Sequence, residues 1–292
     1  MSDMGEIFVS DVPTEPDNTP RHITVCERAN ERSSTASAKA TKTHTTEHSI
    51  QVFSGKGKWK KEIGCNLKVP RGLDIDDNYL YVSDCVHQYI AKVPIGNRSL
   101  SLYTSRYSDL DLNYPYGLIV VKELKTLFIC DEGNSQVVAT DLQFNLKYTL
   151  GSRGVLPGPV DVAYNRNENG DFLYVADHRR GKQIAVFQIR KEVKEGGTIT
   201  MPVDEFNSTL NKEVIFKRVQ GICIADGLIY VTDVAEHIVV VMNLARNLVA
   251  TLGKGELYNP TADTVHNGNV YVTSDAKDDR KAAVHVYGLQ SR

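Results

Sequence analysis

Sulfur chemistry has little to work with in this chain. Its five cysteines, Cys26, Cys65, Cys85, Cys130 and Cys223, are odd in number and scattered. No CxxC pair offers a zinc knuckle or a redox motif, and the natural reading is a set of reduced thiols in a cytoplasmic protein. Cys130 and Cys223 fall inside expected strands, where a thiol behaves as a small hydrophobe. Long apolar runs are also missing: nothing approaches the roughly 20 residues needed to cross a bilayer, so no membrane partner is expected. Met1-Ser2-Asp3-Met4-Gly5-Glu6 has neither a basic start nor an apolar stretch, so no signal peptide is expected there. Charge of one sign is not in excess, with 34 Lys+Arg against 36 Asp+Glu and a formal net charge of −2. That excludes global attraction to nucleic acid and leaves such binding to a local basic patch. No Gly-x-Ser-x-Gly elbow, P-loop or Ser-His-Asp arrangement is visible, and no cofactor is expected.

What the 292 residues do contain is a repeat. A small turn residue leads into an apolar strand that ends on aspartate, most clearly at Gly227-Leu228-Ile229-Tyr230-Val231-Thr232-Asp233. The signature occurs six times, closing on Asp11, Asp84, Asp131, Asp177, Asp233 and Asp275, the last with one residue inserted. The steps between these aspartates are 73, 47, 46, 56 and 42 residues. A period of about 40–50 residues in a β-rich chain predicts propeller blades, none able to bury its apolar face alone.

Each blade after the first opens with its own small motif. Val69-Pro70-Arg71-Gly72 matches Tyr114-Pro115-Tyr116-Gly117, with weaker copies at Leu156-Pro157-Gly158-Pro159, Val219-Gln220-Gly221 and Asn259-Pro260-Thr261. Proline at a strand head costs no ladder hydrogen bond, and glycine beside it lets strands crowd at an axis. Residues 12–49 lack apolar periodicity and are rich in Ser, Thr and Pro, which reads as a disordered insertion in the first blade. Residues 1–64 are therefore expected to form that blade, incomplete, and 65–292 the remaining five. Residues 190–213 enlarge the blade that carries Asp177, and the last blade shows no obvious fourth strand.

With these residues assembled, the chain resembles the NHL-repeat β-propellers. The family pattern of Pro-x-Gly, strand, turn and a strand closing on Asp is met by Pro70-Arg71-Gly72 with Tyr81-Val82-Ser83-Asp84. It is also met by Ile50-Gln51-Val52-Phe53 with Ile63-Gly64. The resemblance implies an all-β, six-bladed or incomplete six-bladed propeller. It further implies the recognition role of tripartite-motif ubiquitin ligases, whose propellers bind proteins or RNA. The same family is similar to peptidyl-hydroxyglycine lyases, which use metal and histidines. No RING or B-box pattern is present, so no ligase activity of the chain's own is expected.

The signature aspartates are tempting carboxylates, but a strand-end Asp that accepts backbone N–H bonds explains their recurrence more simply. His87, His178 and His237 follow signature aspartates by 3, 1 and 4 residues, too unevenly to point together at one metal. Lys56/Lys58/Lys60/Lys61, Arg179/Arg180/Lys182 and Lys277/Arg280/Lys281 are basic groups interrupted by acids such as Glu132 and Glu236. The variable position between Pro and Gly holds Arg71 and Tyr116, a pair able to stack and bond a single-stranded base. The expectation drawn is a non-catalytic recognition module. It would bind a protein or peptide through Arg71, Tyr116, Gln220, His87, Asn134, Arg179, Arg180 and His237. Single-stranded RNA binding is the first alternative and metal-dependent, lyase-like catalysis the second.

Overall fold

The computed structural model describes residues 48–53, 59–76, 79–94, 103–104, 110–179, 184–189, 197–199, 204–206, 209–210, 213–214, 216–266, 268–274 and 283–288. The signature strand at 5–11, most of the Ser/Thr-rich stretch 12–49 and Arg180 lie outside these residues. Among the described residues no helix is long and apolar enough to cross a membrane.

Five antiparallel sheets follow one another along the chain, each named here by the head of its innermost strand. The Pro70 blade runs Pro70–Ile75, Tyr79–Asp84, Tyr89–Pro94 and Tyr103–Thr104, and the Val219 blade Val219–Ala225, Leu228–Asp233, Ile238–Asn243 and Leu248–Leu252. The Pro115 blade is Pro115–Val121, Thr126–Asp131, Gln136–Thr140 and Leu146–Leu150. The Pro159 blade is Pro159–Asn167, Gly170–Asp177, Ile184–Ile189 and Asp204–Phe206. The Pro260 blade has three strands, Pro260–His266, Asn269–Ser274 and Ala283–Gly288. A strand pair, His48–Phe53 with Trp59–Leu67, precedes them.

The five innermost strands lie side by side in chain order, which makes the arrangement a β-propeller. Its core is divided into layers between blades. Tyr81, Ile90, Leu118, Leu127 and Phe144 fill the gap between the Pro70 and Pro115 blades. Phe128, Leu150, Leu173, Val175 and Phe187 fill the next, and Val160, Ile184, Ile222, Ile229 and Val231 the one after. Tyr230, Val241, Val270 and Val272 join the last two blades. A signature strand is thus sandwiched on both faces, and Thr126–Asp131 is buried along its whole length.

Register explains the opening motif. The head of each innermost strand pairs with the last residue of the signature strand: Pro70 with Asp84, Pro115 with Asp131, Pro159 with Asp177, Val219 with Asp233. A bulge follows at once in each of these strands. At Gly72 the bulge leaves the N–H without a ladder partner, and Ser83 Oγ accepts it at 2.7 Å. Thr232 Oγ1 does the same for Gly221 at 2.6 Å. The glycines are required by crowding: a Cβ on Gly72 would stand 2.5 Å from the Tyr116 carbonyl oxygen, and one on Gly117 2.7 Å from Asp161 Cα. Gly117→Ala is expected to cost about 3 kcal/mol, because backbone of the neighbouring blade must move. Urea unfolding measures it, and a loss under about 0.5 kcal/mol, the size of a neutral surface change, would mean the axis is looser than described.

Two details correct the sequence reading. In the Pro159 blade the strand head is Pro159, not Pro157, so Val160 takes the place of Arg71 and Asp161 the place of glycine. In the last blade Ser274 pairs with the strand head Pro260, and its hydroxyl meets His285 Nε2 at 2.9 Å, while Asp275 lies outside the described residues. The enlargement after Ile189 also does more than thicken its own blade. Asp204–Phe206 is that blade's outer strand, while Gly197–Ile199 adds in parallel to the outer edge of the Pro115 blade.

Candidate functional site

The innermost strands of all five blades wall a cavity of about 270 Å³, with Arg71, Asp74, Tyr116, Asp161, Gln220 and Asp263 as its main polar lining. Carboxylates inside β-strands near an axis are costly unless they are paired or protonated. Asp74 Oδ2 accepts the N–H of Val120 at 2.7 Å, bonding the Pro70 blade to the Pro115 blade. Asp161 Oδ2 accepts that of Ile222 at 2.9 Å, bonding the Pro159 blade to the Val219 blade. Asp263 is only 8% exposed; neither oxygen meets a nitrogen or oxygen donor among the described residues, and the Cys223 thiol lies against the carboxyl.

The three carboxyls are correspondingly hard to ionise. Burial pushes Asp74 up to about 6 against the pull of the Val120 and Ile75 N–H groups. Asp161 is pushed up to about 7, by burial first and by the charge of Asp74 in addition. Asp263 lies well above the usual carboxylate range through burial and the charge of Asp161, with the Cys223 thiol offsetting part of the shift. Acids that titrate near neutrality on a cavity wall suit proton transfer.

At the wall formed by the two Pro-x-Gly blades, the Arg71 guanidinium lies 5.0 Å over the Tyr116 ring, and its buried Nε meets no acceptor among the described residues. The pair foreseen as a free surface for a base is therefore stacked on itself.

The signature aspartates do the structural work expected of them. Asp84 accepts the N–H groups of Lys68, Val69, Val86 and His87 at 2.5–3.2 Å. Asp177 takes those of Gly158 and Arg179. Each ties the turn after its own strand to the segment entering the innermost strand.

The remaining residues proposed for binding are spread along the rim. His87 Nδ1 is 3.0 Å from Asp84 Oδ2 and its ring stacks on Tyr89. Asn134 Nδ2 donates to Asp131 Oδ2 at 2.8 Å and to the Asp111 carbonyl at 2.7 Å. His237 Nδ1 accepts the Asn259 N–H at 3.1 Å, and the ring leans on Tyr258. Arg179 forms an ion pair with Glu132 of the preceding blade, and its Nε donates to His178 Nε2 at 3.2 Å. Burial and the charges of Arg179 and Arg218 lower the His178 pKa. The structure thus gathers Arg71, Tyr116 and Gln220 at the cavity and leaves His87, Asn134, Arg179 and His237 in separate turn contacts. Among the described residues no group of three or more His, Cys, Asp or Glu is placed to hold a metal ion.

Asp74, Asp161 and Asp263 escaped the sequence reading, which stopped at the Pro-x-Gly motif. A carboxylate two to four residues past a strand-heading proline, inside an otherwise apolar strand, is the signal that marks them.

No family model and no curated protein matches the chain. Solved structures do. A streptogramin B lyase superposes with a TM-score of 0.56 at 14% identity, covering 82% of this chain and 72% of that one. A virginiamycin B lyase from Staphylococcus aureus superposes with a TM-score of 0.57 at 10% identity, covering 99% of this chain and 86% of that one. At such identities the likeness is one of fold. It nevertheless corrects the expected function, because the non-catalytic, protein-binding reading was drawn from a fold resemblance. The solved propellers that share this fold are named as enzymes. Polar side chains of all five blades line the cavity, whereas on the rim His87 and Asn134 bond the aspartates of their own blades and His237 bonds the segment entering the next.

Proposed function

We propose that the chain is an enzyme of the lyase type that acts on a small molecule in the axial cavity, on a six-bladed, NHL-type propeller. The observation that carries this is Asp161. Its carboxyl lines the cavity, is oriented by the Ile222 N–H, and titrates near pH 7, where one group can both take and give a proton. The names of the structural neighbours support elimination as the reaction class.

In such an elimination the Asp161 carboxylate removes a proton from carbon. The C–H electron pair becomes the new double bond, and the bond to the leaving atom breaks with its electrons. Asp161 then returns the proton to that atom, so nothing is added or lost. The Arg71 guanidinium, at the same cavity wall, supplies donors for a substrate oxygen and so favours loss of the neighbouring proton.

The purified chain is expected to turn over at least one compound in a panel of small molecules that carry a leaving group β to an acidic C–H and fit a cavity of about 270 Å³. Mass spectrometry should show products whose masses sum to that of the substrate, with a new double bond. Asp161→Asn should lower the rate at least about 100-fold. Uptake of water, no turnover of any member, or an equally active variant would each overturn the proposal.

A further inference from the structure

Arg71 is the cation of the cavity wall among the described residues, and its guanidinium meets the Tyr116 ring rather than a carboxylate or a carbonyl. Its Nε is buried and meets no acceptor there. A guanidinium keeps its charge at every ordinary pH, so a partly buried one is normally paired with an acid. The contact with the ring balances part of that charge and uses none of its N–H donors. The pair is also held in place. Ser83 Oγ accepts the Gly72 N–H at 2.7 Å and donates to the Tyr116 carbonyl at 2.5 Å, which ties the two backbones together. The Tyr116 ring packs against two of the cores between blades. A guanidinium on such a platform has little freedom left to lose when it binds.

From this cation without an anion, we infer that the substrate of the cavity is a small molecule with a single carboxylate group, held by Arg71 on its Tyr116 platform. This rests on the reading of the axial cavity as a small-molecule site, and it specifies the substrate oxygen that Arg71 holds. The planar fork of guanidinium donors matches the two oxygens of a carboxylate. Gln220 follows the strand head of the Val219 blade as Arg71 follows that of its own, and it adds an amide donor to the cavity lining.

The cavity limits both the charge and the size of this ligand. Asp74 and Asp161 titrate at about 6 and about 7, so the wall carries negative charge of its own near neutral pH. A monoanion paired with Arg71 turns a neutral chain towards that wall, whereas a dianion such as phosphate is repelled by it. The volume of about 270 Å³ is that of roughly nine water-sized groups at ~30 Å³ each, enough for a short acid and too little for a peptide. Leu118, Val160 and Val162 supply apolar wall for its methylenes. Asp161 Oδ1 stands where a Cβ on Gly117 would lie, one residue along from Tyr116. The platform that holds the carboxylate thus adjoins the carboxyl assigned to proton transfer.

The test is isothermal titration of the full chain with sodium butyrate, butyramide and sodium phosphate. Saturable 1:1 binding of butyrate is expected, with butyramide, of the same shape but uncharged, at least about tenfold weaker. Phosphate should also bind more weakly than butyrate. Arg71→Gln should weaken butyrate at least about tenfold and leave butyramide within about twofold, which separates loss of the charge from loss of the fold. Tyr116→Leu, which removes the platform and keeps the charge, should weaken butyrate by a smaller factor, and Tyr116→Phe should restore it. Absence of saturable butyrate heat, equal affinity for butyrate and butyramide, tighter binding of phosphate, or unchanged butyrate affinity in Arg71→Gln would overturn the inference. Butyrate has no leaving group, so its binding is read without any turnover. Butyrate binding by a chain that turns over no member of the panel would uphold the inference while the lyase reading failed. Turnover of an uncharged compound by a chain that binds no butyrate would overturn the inference alone.

Discussion

Asp161→Asn is expected to lose activity and yet to melt higher than the parent chain above neutral pH. The two effects have one cause. Folding moves the Asp161 carboxyl out of water, and its pKa rises from the ordinary aspartate value of 3.8 to about 7. A carboxyl whose pKa is raised by folding binds its proton more tightly in the native state. Its stabilising contribution is therefore complete below about pH 4 and declines as pH rises to about 7. Above that the native state carries the full cost of a buried charge. Three pKa units correspond to about 4 kcal/mol, and partial access to cavity water reduces this to about 2 kcal/mol.

Asparagine removes the titration but keeps an oxygen for the Ile222 N–H. Parent and variant should melt together at pH 4, and the variant about 5 °C higher at pH 8. Curves that stay parallel across this range would mean that Asp161 is solvated and unfit for the catalytic role given to it. Asp74 serves as the internal comparison, because its pKa of about 6 moves its own transition to a lower window.

Much of this architecture was legible in the chain, and the reasons are local. The aspartate that closes each signature strand recurs because each blade must anchor the same turn, and one residue type solves that problem everywhere. The glycine after a strand-heading proline recurs because neighbouring blades touch there. Where a blade departs from the pattern, the sequence was ambiguous. Pro157-Gly158-Pro159 offers two prolines that would both suit a strand head, and only the pairing of Pro159 with Asp177 decides between them. Ser274-Asp275 offers two polar strand ends, and pairing with Pro260 selects the serine.

The site was less legible because it belongs to no single repeat. Its carboxylates sit at different positions in three blades, and they share a wall only after the innermost strands stand side by side. The Glu132–Arg179 ion pair likewise joins adjacent blades across 47 residues of sequence. So does the parallel pairing of Gly197–Ile199 with Tyr148–Leu150, which a repeat-by-repeat reading cannot foresee.

A large loss of stability is expected at Asp233. Its carboxylate is completely buried and accepts four backbone N–H groups, from Lys217 at 2.6 Å, Arg218 at 3.1 Å, Ala235 at 3.1 Å and Glu236 at 3.2 Å. Two of these donors precede the innermost strand and two follow the signature strand, so one side chain holds both segments of the Val219 blade. Alanine leaves donors without an acceptor at a cost of about 1–3 kcal/mol for each that water cannot reach. A total near 4 kcal/mol and a fall in melting temperature of about 10 °C follow. Asp131 is the informative contrast. It accepts the Asn113 N–H, but its other partners are the side-chain amides of Asn134 and Gln136, which can turn to water when the carboxylate is gone. Asp131→Ala should therefore cost about half as much. Thermal melts of the two variants give the order, and amide exchange should speed up at Lys217, Arg218, Ala235 and Glu236 in Asp233→Ala. Equal losses would mean that the carboxylates act through burial of charge alone rather than through the backbone groups they hold.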